Sequence, residues 1–401
     1  MNKIKDKLKF CIVSCSPHVC SGYGQGTKDL IDMLLELGHE ACVYSVFGTQ
    51  GQVQEYKGCK IYPKNINGDT LADLDCVKWI EKYDVVWSFV DLFILDARRM
   101  TDYWMSWLMV DSEPFLISNL EALSQTNVAL TMGDWSKNII EENNAMGVNQ
   151  EQMVETFPLV INSDDFYMTD KEEARQLFMK NYGLKEMNRL ICCNAANSNE
   201  VQERKNFPEL IKWWSKHTKE NPLDVLYLHT DVTGEVAAGT NIKALCATYG
   251  YDTTKVRFAQ NVKYRFGMIT RDDLRDIYNA SDIMLVPSHS EGLGLPYVES
   301  AMCGCIPVGN NYGTGKEVIE ACNGVTINCR PNYYIQFSQK SKSFAEDIEV
   351  AVAEAFTKSE SYSERVLCSH DATKNYSIKN NLKNLEGLLE KVKNHMLLLN
   401  K

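Results

Sequence analysis

Ile283-Met284-Leu285-Val286 runs into Pro287-Ser288-His289-Ser290-Glu291-Gly292-Leu293-Gly294-Leu295-Pro296, and then into Tyr297-Val298-Glu299-Ser300-Ala301-Met302-Cys303-Gly304. A short apolar run closed by Pro reads as a buried strand. Pro296 suits the first turn of a helix. A strand's carboxyl end followed by a helix N-terminus is where open parallel sheets bind anions. Gly292 and Gly294 let a backbone come close to a ligand, so N–H groups from Gly292 through Leu293 and Gly294 to Leu295 can meet phosphate or hydroxyl oxygens. Glu291 stands before these glycines, and Glu299 lies about one turn into the helix.

Outward from this segment the same alternation repeats. Strands are expected at Arg189–Asn194, Val225–His229, Val256–Phe258, Ile306–Val308 and Val325–Ile327, with helices at Phe207–Lys216, Arg271–Ala280 and Pro296–Cys303. In the first half, strands are expected at Leu8–Ser14, Ala41–Phe47, Tyr83–Phe89, Trp107–Val110 and Val128–Met132. The turn Ser21-Gly22-Tyr23-Gly24 follows the first of them. It leads into a helix with Leu30, Met33, Leu34 and Leu37 on one stripe, ended by Gly38. Further helices are expected at Leu71–Lys82 and Ser136–Met146. Thr156–Asn162 reads as a strand interrupted by Pro158, and Asp164-Asp165 after it marks a domain boundary. The fold class is α/β, with two doubly wound Rossmann-like domains facing across a cleft. The expected limits are 1–163, 164–379 and a terminal helix over 380–401.

Composition removes other classes. The chain has 401 residues, 44% apolar and 24% charged, with 10 Pro and 23 Gly, so it is globular and neither low-complexity nor collagen-like. The net charge of −11 argues against a broad grip on nucleic acid or an anionic membrane. Residues 1–160 hold 13 Lys+Arg and 22 Asp+Glu, net −9, and the remainder carries only −2, so a phosphate-bearing ligand belongs with the second half. No run approaches the roughly 18 apolar residues of a membrane span. The apolar stretch Phe10–Val13 is too short for a signal peptide. Fourteen Cys spread through apolar runs read as reduced, buried thiols of a cytoplasmic protein. Cys303-x-Cys305 and Cys192-Cys193 lack zinc spacing, so neither metal nor cofactor is expected.

The Glu291…Glu299 segment with its Gly292-Leu293-Gly294 core resembles the retaining nucleotide-sugar glycosyltransferases of family 4, which have the GT-B fold. Leu274–Asp282 before it, Ala301–Val308 after it and Gly313–Ile319 beyond fit the same pattern. The Ser21–Gly24 turn is similar to the family's N-terminal glycine loop, and Arg204-Lys205 falls where the family places a basic pair. The resemblance implies that Glu299 holds the ribose and Glu291 contacts the donor sugar. Ser288 and the backbone from Gly292 to Leu295 bind sugar and phosphate, and Arg204 and Lys205 neutralise the leaving diphosphate. Met268 and Ile269 cradle the base; Gly22, Tyr23 and Gly24 lie under the diphosphate and acceptor. It also implies a terminal helix that returns to the first domain. The implied reaction moves a hexose from a UDP- or GDP-sugar to a glycan or glycoconjugate hydroxyl, without metal.

Two departures stand out. Asp111, after Trp107–Val110, stands where the family often has His. Asn194 and Asn197 lie where it has an Arg at the end of the second domain's first strand. Rival readings are a glycosidase or phosphorylase using Glu291 and Glu299, a nucleotide-binding protein without transfer activity, and a transferase acting on modified DNA bases. Asp73-Leu74-Asp75 sits in a helical pattern, not after a strand, unlike the metal-binding Asp-x-Asp of GT-A enzymes. Trp104 and Trp107 weigh as core, Tyr23 and Trp135 as aromatic acceptor contacts, and His18 and His289 as exposed or supporting groups. Sequence says nothing of the oligomeric state.

Overall fold

The structure, a computed structural model, describes residues 6–64, 72–73, 82–96, 102–198, 203–235, 237–250, 255–335 and 338–399. The chain divides into two units: Met1–Ile161 with Ile378–Lys401, and Asn162–Ser377.

The first unit is built on the strands β1 (Lys9–Cys15), β2 (Glu40–Phe47), β3 (Gln54–Tyr56), β4 (Cys59–Pro63), β5 (Ala72–Asp73), β6 (Val85–Phe89), β7 (Leu95–Asp96), β8 (Trp104–Leu108), β9 (Val128–Thr131) and β10 (Met153–Thr156). Eight of them form one sheet in the order β10-β9-β8-β6-β1-β2-β4-β3, and β5 pairs with β7 apart from it. Only β3 runs antiparallel to its sheet neighbour. The inner strands are continuous apolar runs because helices cover both faces of a parallel sheet. α1 (Gly22–Glu36) buries Leu30, Met33 and Leu34 as its stripe requires, and Gly38 follows its end at φ +78°. α2 (Ile117–Gln125) connects β8 to β9, and α3 (Asp134–Ala145) connects β9 to β10.

The second unit carries α4 (Lys171–Tyr182), β11 (Leu190–Asn194), α5 (Phe207–Glu220), β12 (Val225–His229), α6 (Ile242–Thr248), β13 (Val256–Phe258), α7 (Asn261–Arg265), α8 (Arg271–Ala280), β14 (Ile283–Val286), α9 (Leu295–Met302), β15 (Ile306–Asn310), α10 (Gly313–Ala321) and β16 (Val325–Ile327). A hairpin, β17 (Arg330–Ile335) and β18 (Ser338–Lys342), then precedes α11 (Ala345–Glu360) and α12 (Tyr362–Tyr376). The six-stranded sheet is fully parallel, in the order β13-β12-β11-β14-β15-β16. That is a doubly wound order whose reversal falls between β11 and β14, the place where such sheets bind ligands. In the first unit the reversal falls between β1 and β6.

α13 (Ile378–Leu398) returns to the first unit. Its first amide donates to the Ile161 carbonyl at 3.0 Å. It buries Leu385, Leu388, Leu389 and Val392, and His395 Nδ1 lies 2.7 Å from Tyr103 Oη.

Several expectations need correction. Of the strand expected at Trp107–Val110, Trp107 and Leu108 end a strand that starts at Trp104, and Met109 and Val110 lie beyond it. The Pro-interrupted strand at Thr156–Asn162 is absent; β10 ends at Thr156, before Pro158, which has no N–H for a ladder. Of the helix expected at Leu71–Lys82, Ala72-Asp73 is strand β5, and all but Lys82 of the rest lies outside the described residues.

Candidate functional site

Two loops meet at the carboxyl ends of β11 and β14. The loop after β14 is shaped by Tyr297, whose hydroxyl donates to the Val286 carbonyl at 2.6 Å. Gly294 caps α9 in the left-handed region, φ +87°, and a Cβ there would lie 2.5 Å from the Tyr297 ring. Glycine is thus required twice over at one position. α9 begins at Leu295, so Pro296 sits in its first turn.

Glu291 is buried in this loop, and the turn after β11 brings it both cations of the basic pair. Arg204 Nη1 lies 3.3 Å from Glu291 Oε2 and 2.9 Å from the Ser290 carbonyl. Lys205 Nζ is in direct ion-pair contact with Glu291 Oε1. Burial alone would raise the Glu291 carboxyl, but Lys205 and Arg204 outweigh it and hold it down at about 2. Burial, with Arg204 second, lowers the Lys205 ammonium, against the pull of Glu291. The sequence reading gave these residues separate tasks; the structure makes them one cluster.

Helix α10 closes over the same spot. A Cβ on Gly315 would lie 3.2 Å from Glu291 Cβ, so glycine there lets the helix approach. The sequence reading included Gly315 within the Gly313–Ile319 stretch of the resemblance but gave it no role of its own. Its signal was the spacing Gly313-Thr314-Gly315 after a strand. Ser288 is buried in the loop, and the Ser290 and Thr314 hydroxyls are buried with no hydrogen-bond partner among the described residues. Buried hydroxyls seek partners, and an oxygen-rich ligand would supply them. Gly292 and Leu293 are buried between Glu291 and the α9 N-terminus.

Glu299 stands on α9, half-buried, and accepts a hydrogen bond from Tyr278 Oη at 2.9 Å. Tyr278 Oη in turn accepts from Asn194 Nδ2 at 2.7 Å. Burial, followed by the charge of Glu299, raises the Tyr278 phenol well above its ordinary value, so it stays a donor. Asn194, at the end of β11, therefore supports Glu299 through Tyr278.

Met268 is 57% exposed, after Gly267 at φ +60°. Ile269 faces a cavity of about 160 Å³ lined also by Phe178, Tyr182, Lys263 and Asp276. His289 was read as exposed or supporting and is buried, with Nδ1 2.9 Å from the Ser341 carbonyl. Burial, then Lys342, Lys340 and Arg204, lower its pKa to about 4.

In the first unit, Gly22, Tyr23 and Gly24 are not a turn but the opening of α1. Ser21 Oγ caps the helix by accepting from the Gly24 amide at 3.1 Å. A Cβ on Gly24 would lie 2.2 Å from the Val19 carbonyl. The Tyr23 ring packs edge-on against Phe89, 5.0 Å between centroids. Asp111 follows β8 and is half-buried. Trp104 and Trp107 are fully buried and bonded to Ser88 and to the Phe157 carbonyl, so they are core. Trp135, in the first turn of α3, packs against the core. His18 is exposed.

Residues 195–365 match the family model of glycosyl transferases, group 1. The matched stretch contains Arg204, Lys205, Tyr278, Glu291 and Glu299. A stretch of 78 residues is 35% identical to the serotype-specific mannosyltransferase WbdA of Escherichia coli, covering 20% of this chain and 9% of WbdA. The match thus spans about a tenth of that relative. Among solved structures, sucrose-phosphate synthase from Thermosynechococcus elongatus superposes with a TM-score of 0.73 at 14% identity, over 96% of this chain and 99% of that one. A glycosyltransferase from Rickettsia africae gives 0.68 at 17% identity, over 97% and 100%. Anabaena HepE in complex with UDP and glucose gives 0.66 at 14%, over 96% and 100%. The fold is GT-B: two Rossmann-like units built on parallel sheets of eight and six strands among the described residues, β3 alone antiparallel in the first. Among the described residues no helix is long and apolar enough to cross a membrane, and no His/Cys/Asp/Glu group could hold a metal ion.

Proposed function

We propose that this chain is a retaining glycosyltransferase that moves a hexose from a UDP- or GDP-sugar to a hydroxyl of a glycan or glycoconjugate. The observation that carries the reading is the buried Glu291 carboxylate, held ionised between Arg204 and Lys205 at the reversal point of the second sheet. The matched mannosyltransferase, and HepE with its bound UDP and glucose, support a nucleotide-hexose donor.

The chemistry follows from charge. Glu291, Arg204 and Lys205 together carry one net positive charge, next to the N-terminus of α9. A diphosphate placed there meets cations and backbone N–H groups in a water-poor site, where such groups stabilise developing charge most. The bond from the anomeric carbon to the phosphate oxygen breaks, and the electron pair leaves with the diphosphate. The acceptor oxygen bonds to the anomeric carbon on the same face, and its proton passes to the departing phosphate oxygen. Glu291 accepts a hydrogen bond from a donor-sugar hydroxyl, and Glu299, oriented by Tyr278, accepts from the ribose. A carboxyl held near 2 is a poor general acid, which weighs against the glycosidase reading.

A thermal-shift panel of UDP, GDP, ADP and their sugars tests this. Binding at a hundredfold excess over the dissociation constant stabilises by about 2.7 kcal/mol. A nucleoside diphosphate that raises the unfolding temperature, with its sugar form as donor in a transfer assay, supports the reading. No shift with any of them overturns it.

A further inference from the structure

The hairpin β17–β18 belongs to neither sheet, yet its end and the chain just after it are bonded to the two loops that form the charged cluster. Ser341 is fully buried. Its amide and its hydroxyl both donate to the His289 carbonyl, at 3.0 and 2.9 Å, and its own carbonyl accepts from His289 Nδ1–H at 2.9 Å. Asn310 Nδ2, at the end of β15, donates to Ser341 Oγ at 3.2 Å. The His289 amide donates to the Arg204 carbonyl at 2.8 Å. Two residues on, the Ser343 carbonyl accepts from Asn206 Nδ2 at 3.1 Å. Asn206 caps α5 directly after Arg204-Lys205, in the left-handed region at φ +56°. The bonds close a circuit: hairpin to the Glu291 loop, Glu291 loop to the Arg204 turn, Arg204 turn back to the chain after the hairpin.

We propose that the β17–β18 hairpin is a strap that positions the charged cluster, with Ser341 and Asn206 as positioning residues acting through His289 and Arg204. The circuit is buried: Ser341, Ser343, His289 and Asn206 are each at most 2% exposed. Ser341, His289, Asn206 and Ser343 each bond within the circuit, and a buried network of this kind favours one arrangement. His289 supports this, since a pKa near 4 keeps the ring neutral with Nδ1–H as its donor. The effect on turnover rests on the donor-binding reading above; the strapping itself does not.

The test uses the full chain with Asn206→Gly and Ser341→Ala. Glycine adopts the left-handed conformation at no cost, so Asn206→Gly removes the amide bond to Ser343 while keeping the turn. Hydrogen exchange of the protein without nucleotide should speed about fivefold or more at residues 203–206 and 288–291 in both variants, with the first unit's strands unchanged. Unchanged exchange in Asn206→Gly overturns the strap, whatever becomes of Ser341→Ala. Binding of UDP and GDP is then titrated. In each variant affinity and turnover should fall about fivefold, but by less than twofold in an Arg204→Ala background. Equal losses in both backgrounds, the pattern of general destabilisation, overturn the positioning role. If the wild type binds neither nucleotide, the donor reading fails while the exchange result still decides the strap.

Discussion

Arg204 Nη1 stands 3.3 Å from Glu291 Oε2 across 87 positions of sequence. The contact joins the turn after β11 to the loop after β14, so one ion-pair cluster spans the reversal point of the sheet. Lys205 completes it. Removing one partner of a buried pair leaves the other charged and desolvated, which costs about 3 kcal/mol or more. Lys205→Met should therefore destabilise the second unit by about that amount in denaturant unfolding. Adding Glu291→Leu should restore part of the loss. A double variant less stable than Lys205→Met would show that the pair is not the source.

The cluster also sets an acid limit. The folded-state pKa of Glu291 is depressed to about 2 from 4.5. The unfolded chain binds the proton more readily, so this stability is present above about pH 4.5 and is lost as pH falls towards 2. His289 and His229 have folded values lowered to about 4 from 6.5, chiefly by burial. Their contribution is present above about pH 6.5 and is lost on the way down to 4. Stability measured against pH should thus fall in two stages. Glu291→Gln should remove the dependence below pH 4.5 and leave the upper stage. An unchanged lower stage in that variant would contradict the assignment.

The second sheet was legible because its strands are short apolar runs closed by Gly, Pro or charge, as at Ile283–Val286 and Val325–Ile327. Tertiary context decided the rest. Thr156–Asn162 is apolar enough for a strand, but Pro158 denies it a ladder. Gly22-Tyr23-Gly24 carries turn composition, yet Ser21 caps a helix that runs straight through it. The hairpin escaped notice because Arg330–Lys342 is mostly polar, without the alternation of a half-buried strand. Glu291 and the basic pair were each visible. Their contact was not, because only the β11–β14 neighbourhood makes distant positions meet. Tyr278 gave no local sign of its bond to Glu299, since an aromatic inside a helix reads as core.

The two glutamates should separate by ligand. Glu299→Ala should weaken bare nucleoside diphosphate and sugar donor alike, by about 1.5–3 kcal/mol for one charged hydrogen bond. Tyr278→Phe, which removes only the orienting hydroxyl, should do the same to a smaller degree. Glu291→Ala leaves Arg204 and Lys205 without their carboxylate, so bare nucleotide should bind at least as well while turnover falls. Equal weakening of bare nucleotide by Glu291→Ala and Glu299→Ala, read by calorimetry, would show the roles to be assigned wrongly.

In the proposed mechanism Arg204 and Lys205 supply the positive charge that stabilises the leaving diphosphate, so turnover should survive EDTA with less than a twofold change. Nearly complete loss on chelation, restored by Mn²⁺, would mean that the pair does not neutralise the leaving group.

The acceptor is the remaining question, and the first unit's chemistry limits it. Residues 1–160 carry net −9, which disfavours a polyanion. With Trp104 and Trp107 committed to the core, the remaining aromatic candidates named from the sequence are Tyr23 at the start of α1 and Trp135 at the start of α3. Tyr23 follows β1, at the reversal point of the first sheet, and Asp111 follows β8 two strands away. An aromatic face covers C–H surface of a sugar ring without needing charge, and a carboxylate accepts its hydroxyls. The expected acceptor is therefore a neutral glycan or glycoconjugate held near Tyr23 and Asp111. Apparent acceptor affinity should stay nearly flat between about 50 and 200 mM salt, a range over which a protein making several phosphate contacts loses about a thousandfold or more. Tyr23→Ala and Asp111→Asn should each raise the acceptor KM while leaving donor affinity unchanged. A steep fall with salt, with DNA as the working acceptor, would overturn the neutral-acceptor reading in favour of a transferase acting on modified bases.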